Sequence, residues 1–165
     1  IYGDVLDWLA HQHGPVLDLY AGCGVLSLLL AQRGGEVVAV ERSPAAVAVA
    51  RRAMARDGHT YHLHQGDSLG LSLQMIRARA RFPGAVVNPP RCGLHPRLPE
   101  ALAGLGVRRL AYISCDPATM ARDLGRLGGL GFHTVQVTPY DLFTHTAGIE
   151  VVARLHRPPQ ERLTQ

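Results

Sequence analysis

Short β-branched apolar runs alternate with helical runs along this chain, and that alternation limits the possible folds more than any other feature. Val16–Leu19, Glu36–Val40, Tyr61–His64, Ala85–Val87, Arg109–Ile113, His133–Val137 and Ile149–Leu155 read as strands. Val25–Arg33, Pro44–Arg56, Leu69–Arg79, Arg97–Leu105 and Pro117–Leu127 read as helices. Proline in the first turn after Ser43 and after Asp116 marks two helix starts, and Gly128-Gly129 marks an end. Strands joined by crossover helices demand a parallel sheet covered on both faces. Between Gln136 and Ile149 no long helix is evident, so the last strand is expected to return antiparallel as a hairpin partner. The expectation is an α/β domain with a mostly parallel, seven-stranded sheet.

A chain of 165 residues with 47% apolar residues can bury one core. Residues 1–157 are expected to form the domain, and the tail PPQERLTQ, residues 158–165, to be frayed. No run approaches the ~18 uninterrupted apolar residues of a membrane span, and IYGDVLDWLA lacks the features of a signal peptide, so no membrane and a cytoplasmic location are expected. Cys23, Cys92 and Cys115 show no C-x-x-C spacing, and His11-x-His13 and His62-x-His64 lack companion ligands. Neither a disulfide framework nor a metal is expected. The net charge is +4, with arginine as the only strong base. This excess fits a nucleic-acid partner, although no cluster forms a clear basic stripe.

The first motif is VLDLYAGCGVLSL. Gly22 and Gly24 follow a strand and precede a helix, where a tight turn lets a ligand approach backbone. Glu41 lies 23 residues beyond Asp18 (41 − 18), near the spacing of an acid that grips ribose hydroxyls. Ser27 stands where a dinucleotide loop has its third glycine, and Asp18 would repel a pyrophosphate. S-adenosylmethionine, a cationic ligand without phosphates, suits these residues better than NAD. Asp18-Leu-Tyr-Ala-Gly-Cys-Gly24 resembles the first motif of class I S-adenosylmethionine-dependent methyltransferases, which have a Rossmann-like fold. That resemblance implies cofactor contacts from Asp18, Tyr20, Gly22, Gly24, Glu41, Asp67 and Asn88. Asp67 also reads as a helix N-cap in QGDSLG.

In VVNPPRCGL the two prolines end a strand and fix a turn that aims the Asn88 side chain across the sheet's rim. Amino-group methyltransferases carry an aromatic residue after Asn-Pro-Pro, whereas Arg91 stands here, which weakens that alternative. The third motif, YISCDPATMARDL, puts Cys115 between a strand's carboxyl end and a helix N-terminus. NPPRCGL, YISCDPATMARDL and DLFTHTAGIEVVARL, in that order, resemble the catalytic half of RNA uracil-5 methyltransferases, from about Val16 to Leu155.

The resemblance implies a transfer or ribosomal RNA substrate, S-adenosylhomocysteine as product, Cys115 as the nucleophile and Glu150, 35 residues on (150 − 115), as the base. Such a site takes a uridine flipped out of its stack. Asn88, Pro89, Arg91 and Arg122 become substrate contacts, with Asp123 or Asp141 as alternative partners for the arginines. Cys23 and Cys92 read as structural thiols. Three positions depart from the family's pattern: Asn88 replaces an aspartate, Thr144 a proline and Gly148 a histidine. The family's upstream segment, its RNA-binding domain and its iron–sulfur cysteines have no counterpart in this sequence. The chain is expected to be a catalytic domain alone, with an inactive cofactor-binding module as a further alternative. No feature selects a particular RNA, uridine or oligomeric state.

Overall fold

The computed structural model describes residues 1–10, 13–141 and 148–159. The chain runs α1 (Tyr2–Ala10), β1 (Val16–Leu19), α2 (Val25–Gln32), β2 (Val37–Glu41), α3 (Pro44–Asp57), β3 (His62–Gln65), α4 (Ser68–Arg77), β4 (Gly84–Val87), α5 (Leu98–Gly104), β5 (Arg109–Ser114), α6 (Pro117–Gly128), β6 (His133–Tyr140) and β7 (Glu150–His156). One seven-stranded sheet has the order β3-β2-β1-β4-β5-β7-β6. Strands β1 to β5 pair in parallel. β7 is antiparallel to β6, as expected, and also to β5, because it inserts between the two. The tail from Gln160, His11 and the departure at Thr144 lie outside the described residues. Among the described residues no helix is long and apolar enough to cross a membrane.

Side-chain parity along the strands sorts the interior into two layers. Leu17, Leu19, Val87, Leu110 and Tyr112 pack towards α4, α5 and α6. Val16, Ala39, Val86, Ile113 and Val152 pack towards α1 and α2. Strands covered on both faces must be apolar at successive positions, which is why VVAV and GAVV carry no alternation. Three helices start at side-chain caps. Ser43 Oγ accepts from Ala46 N at 3.4 Å, Asp67 Oδ2 from Gly70 N at 2.8 Å and Asp116 Oδ1 from Thr119 N at 2.9 Å.

Helix α1 is an addition to the elements expected from sequence. It buries Val5, Leu6 and Leu9 against the sheet, each worth about 1.5–3 kcal/mol. Arg109 lies over the Trp8 ring, 4.6 Å from its centroid, and donates to the Trp8 carbonyl at 3.1 Å. Asp4 pairs with Arg154 at 3.0 Å and accepts a hydrogen bond from the Tyr140 hydroxyl. β6 continues to Tyr140, beyond the expected Val137, because β7 pairs with it as far as Glu150. Pro139 is tolerated there because β6 is an edge strand.

Candidate active site

The parallel strands bring their carboxyl ends to one rim, where open α/β sheets bind ligands. After β1 the backbone turns left-handed at Tyr20 (φ 64°), Gly22 (φ 58°) and Gly24 (φ 77°). The tyrosine holds that conformation at a cost of about 1–2 kcal/mol, so its surroundings impose it. A side chain at Gly24 would run into the Tyr61 hydroxyl, whereas the space beside Gly22 is open. Gly24 is therefore required by packing, and Gly22 leaves backbone accessible.

Asp18 is buried on the α2 side and accepts a 2.5 Å hydrogen bond from Ser27 Oγ. Burial pushes its carboxyl up to about 7, the Ser27 bond partly opposes this, and the charge of Glu41 adds to it. Glu41, ending β2, ties the loop together: Oε2 accepts from Gly22 N at 2.8 Å and Oε1 from Ser43 N at 2.7 Å. A carboxylate offers about four acceptor sites, so Glu41 retains capacity for two hydroxyls. Asp67 caps α4 and also lines the cleft at the rim, so the cap does not withdraw it from that space.

Tyr20, Glu41, Arg42, Asp67 and Asn88 line a cleft of about 430 Å³. A second compartment of about 200 Å³, lined by Asp18, Gly22, Cys23 and Ile113, shares Tyr20 and Asn88 with the first. The carboxyl groups of Asp18, Glu41 and Asp67 and the Arg42 guanidinium border the two spaces. Those acceptors fit the hydroxyl donors of a ribose diol and a ligand without phosphates, such as S-adenosylmethionine. Cys23 and Cys92, expected as structural thiols, are instead exposed at these clefts.

The turn after β4 is held from two directions. Asn88 N donates to Leu19 O at 3.3 Å, which leaves the exposed Asn88 side chain where the compartments meet. Pro89 is buried, so it braces the turn. Arg122 Nη2 donates to Cys92 O at 2.8 Å and pairs with Asp123 at 3.0 Å. Arg122 thus makes the ion pair with Asp123 while its side chain stays 43% exposed. Arg91 is exposed and lies near enough to Asp116 to help hold that carboxyl below its ordinary value, after the larger effect of the hydrogen bond from Thr119.

Asp123 organises this region, a role that sequence reading missed. It is fully buried and accepts from Leu94 N (2.7 Å), Tyr112 Oη (2.9 Å), Arg122 Nε (3.0 Å) and Arg126 Nη1 (3.2 Å). One signal was available: Met120, Asp123 and Leu127 share the buried face of α6, where an acid needs donors.

Cys115 follows β5 and is half-buried. Ser114 Oγ accepts from Asp116 N at 3.0 Å, and Asp116 in turn caps α6, so the backbone just beyond Cys115 is fixed. The β5–β7 ladder pairs Ile113 with Val152 and Ser114 with Val151. One further step along that register, past the last ladder pair, would bring Cys115, which stands at a bend, towards Glu150. Glu150 has the parity of Val152, on the α1 side. The smaller compartment reaches Ile113 on the same side. Burial raises the Glu150 carboxyl above the ordinary glutamate value.

A family model described as a methyltransferase domain matches residues 16–87. An uncharacterized RNA methyltransferase of Geobacter sulfurreducens is 38% identical over 167 residues, covering 99% of this chain and 34% of that protein. The 23S rRNA (uracil(1939)-C(5))-methyltransferase RlmD of Pseudomonas aeruginosa is 37% identical over 150 residues, covering 90% and 33%. Among solved structures, the Pyrococcus abyssi tRNA (uracil-54, C5)-methyltransferase in complex with S-adenosyl-L-homocysteine superposes with a TM-score of 0.82 at 29% identity, over 93% of this chain and 36% of that one. The chain spans about a third of the length of these relatives.

Proposed function

We propose that the chain is a class I domain of the RNA uracil-5 methyltransferases, spanning about a third of the length of its relatives, and that it methylates C5 of a uridine in ribosomal or transfer RNA through a covalent bond from Cys115 to C6. In this reading residues 1–157 are the catalytic part, acting in the cytoplasm. The β5–β7 register supports the proposal, because continuing it one step beyond Ser114 and Val151 would bring a thiol and a carboxylate together at the rim that bears the clefts.

S-adenosylmethionine, when bound, supplies an electrophilic methyl group. Glu41 and Asp67 are suited to its ribose and adenine, and Asp18 and the Gly22 backbone to its charged chain. C5 of uracil is too weak a nucleophile to react unaided, so the Cys115 thiolate first bonds to C6 and the C5–C6 electron pair moves into the C4 carbonyl. The C5 carbon then takes the methyl group. Glu150 removes the remaining proton from C5, the C5–C6 double bond returns, and the C6–S bond breaks to release Cys115 as thiolate. Its raised affinity for protons suits the acceptor role.

RNA containing 5-fluorouridine tests the sequence of steps, because fluorine cannot leave C5 as a proton. With S-adenosylmethionine present, a denaturing gel should show a protein–RNA adduct that needs Cys115 and survives Glu150→Gln. Methyl transfer that persists in Cys115→Ala would support an amino-group reaction centred on Asn88 instead. Cofactor binding with neither adduct nor transfer would make the chain a binding module.

A further inference from the structure

At the rim opposite Cys115, three arginines converge on a cleft of about 340 Å³ lined also by Pro83, Gly106 and Pro158. Arg81 precedes β4, Arg108 precedes β5 and Arg157 follows β7. β5 has six residues, so at ~3.3 Å per residue the cleft lies roughly 20 Å from the reacting thiol. No cluster of this kind is visible in the sequence, where the three residues are far apart.

Two of these side chains are fixed by helix ends. Arg81 Nη1 donates to Gly104 O at 3.1 Å, and Arg157 donates to Leu130 O at 3.0 Å and Ala103 O at 3.1 Å. A guanidinium carries five N–H donors, so both keep donors to spare. Capping carbonyls explains Arg81 and Arg157 but not Arg108. Its side chain is exposed and, among the described residues, meets neither a carboxylate nor any other acceptor. Arg157 N donates to Arg108 O at 2.7 Å, one step beyond the Arg109–His156 pair of the ladder. Two like charges thus stand directly across adjacent strands, an arrangement that repels. Among the described residues no acid lines the cleft.

We propose that this cleft is a phosphate-binding site, which holds a backbone phosphate of the RNA at a distance from the uridine being modified. The proposal rests on the reading of RNA as substrate. An anion there would relieve the Arg108–Arg157 repulsion and use the spare guanidinium donors in charge-assisted bonds. It would also add sequence-independent affinity, because phosphate contacts orient nucleic acid without reading bases.

The test uses the whole chain, a fluorescently labelled RNA stem-loop and anisotropy titrations across a range of KCl concentrations. Arg108 touches neither the cofactor clefts nor a helix end, so Arg108→Ala and Arg108→Glu should leave S-adenosylhomocysteine binding unchanged by calorimetry. Losing one phosphate contact should flatten the slope of log K against log salt by about 0.7–0.9. Arg108→Glu should weaken RNA binding further, and by the same factor for unrelated RNA sequences. Unchanged slopes in both variants overturn the proposal. They do so even if inorganic phosphate binds in an Arg108-dependent way, which would mark a site for small anions. The fluorouridine adduct reports on the underlying reaction separately. An adduct with Arg108-independent slopes removes this site and keeps the function, whereas Arg108-dependent slopes without an adduct do the reverse.

Discussion

Asp123→Ala should cost the domain about 3–5 kcal/mol, the range for removing one partner of a buried charged cluster. Leu94 and Tyr112 are buried, so their N–H and O–H groups lose their shared acceptor with no water to replace it. Each such orphan costs about 1–3 kcal/mol. Arg122 and Arg126 are 43% and 38% exposed and regain solvent, so each adds about 0.2–1 kcal/mol. The measurement is urea unfolding followed by circular dichroism, in which the midpoint should fall while the slope stays constant. Tyr112→Phe provides the control: it should destabilise the parent but matter little once Asp123 is alanine. Asp123→Asn should fall between, because the amide can accept on one side only. A loss below about 1 kcal/mol for Asp123→Ala, within the range of ordinary surface changes, would refute the assignment of Asp123 as the acceptor for four donors.

Three further outcomes follow from other parts of the site. The folded protein keeps the Asp18 proton up to about pH 7, whereas the unfolded chain releases it near 3.8. Stability relative to Asp18→Asn should therefore fall as pH rises through that window, with a limiting slope of about 1.4 kcal/mol per pH unit; matched slopes for the two proteins would reject it. On the proposed mechanism, release of the methylated product from Cys115 should accelerate with pH through a value above the ordinary glutamate range, and this dependence should vanish in Glu150→Gln. The Tyr61 hydroxyl is buried without a partner and occupies the space a Gly24 side chain would need. In thermal melts Tyr61→Phe should be neutral or stabilising by up to ~1 kcal/mol, Gly24→Ala should lose about 2–4 kcal/mol, and the double variant should recover part of that loss.

The strands of the parallel half were legible because burial on both faces leaves apolar runs with hard Gly and Pro boundaries, as in VLDLYAG and GAVVNPP. The caps at Ser43, Asp67 and Asp116 were legible for the same local reason. Helix α1 carried a readable face at Val5, Leu6 and Leu9, but its anchors, Arg109 and Arg154, lie about a hundred residues or more along the chain. The insertion of β7 between β5 and β6 was hidden too, since a sequence announces a hairpin but not which strand lies on the far side. Family motifs pointed to the cofactor and chemistry residues one by one. The far end of NPPRCGL is held at Leu94 by Asp123, 29 positions away, and only the folded chain shows that link.

Because β7 runs against β5, the residue that begins one strand arrives where the other ends. Glu150 is held from two sides, next to Val151 on the β5 ladder and opposite Tyr140 on β6. On the proposed reading, the sheet itself then carries the base towards the end of the strand that bears the nucleophile, so the geometry of the reaction is inherited with the fold.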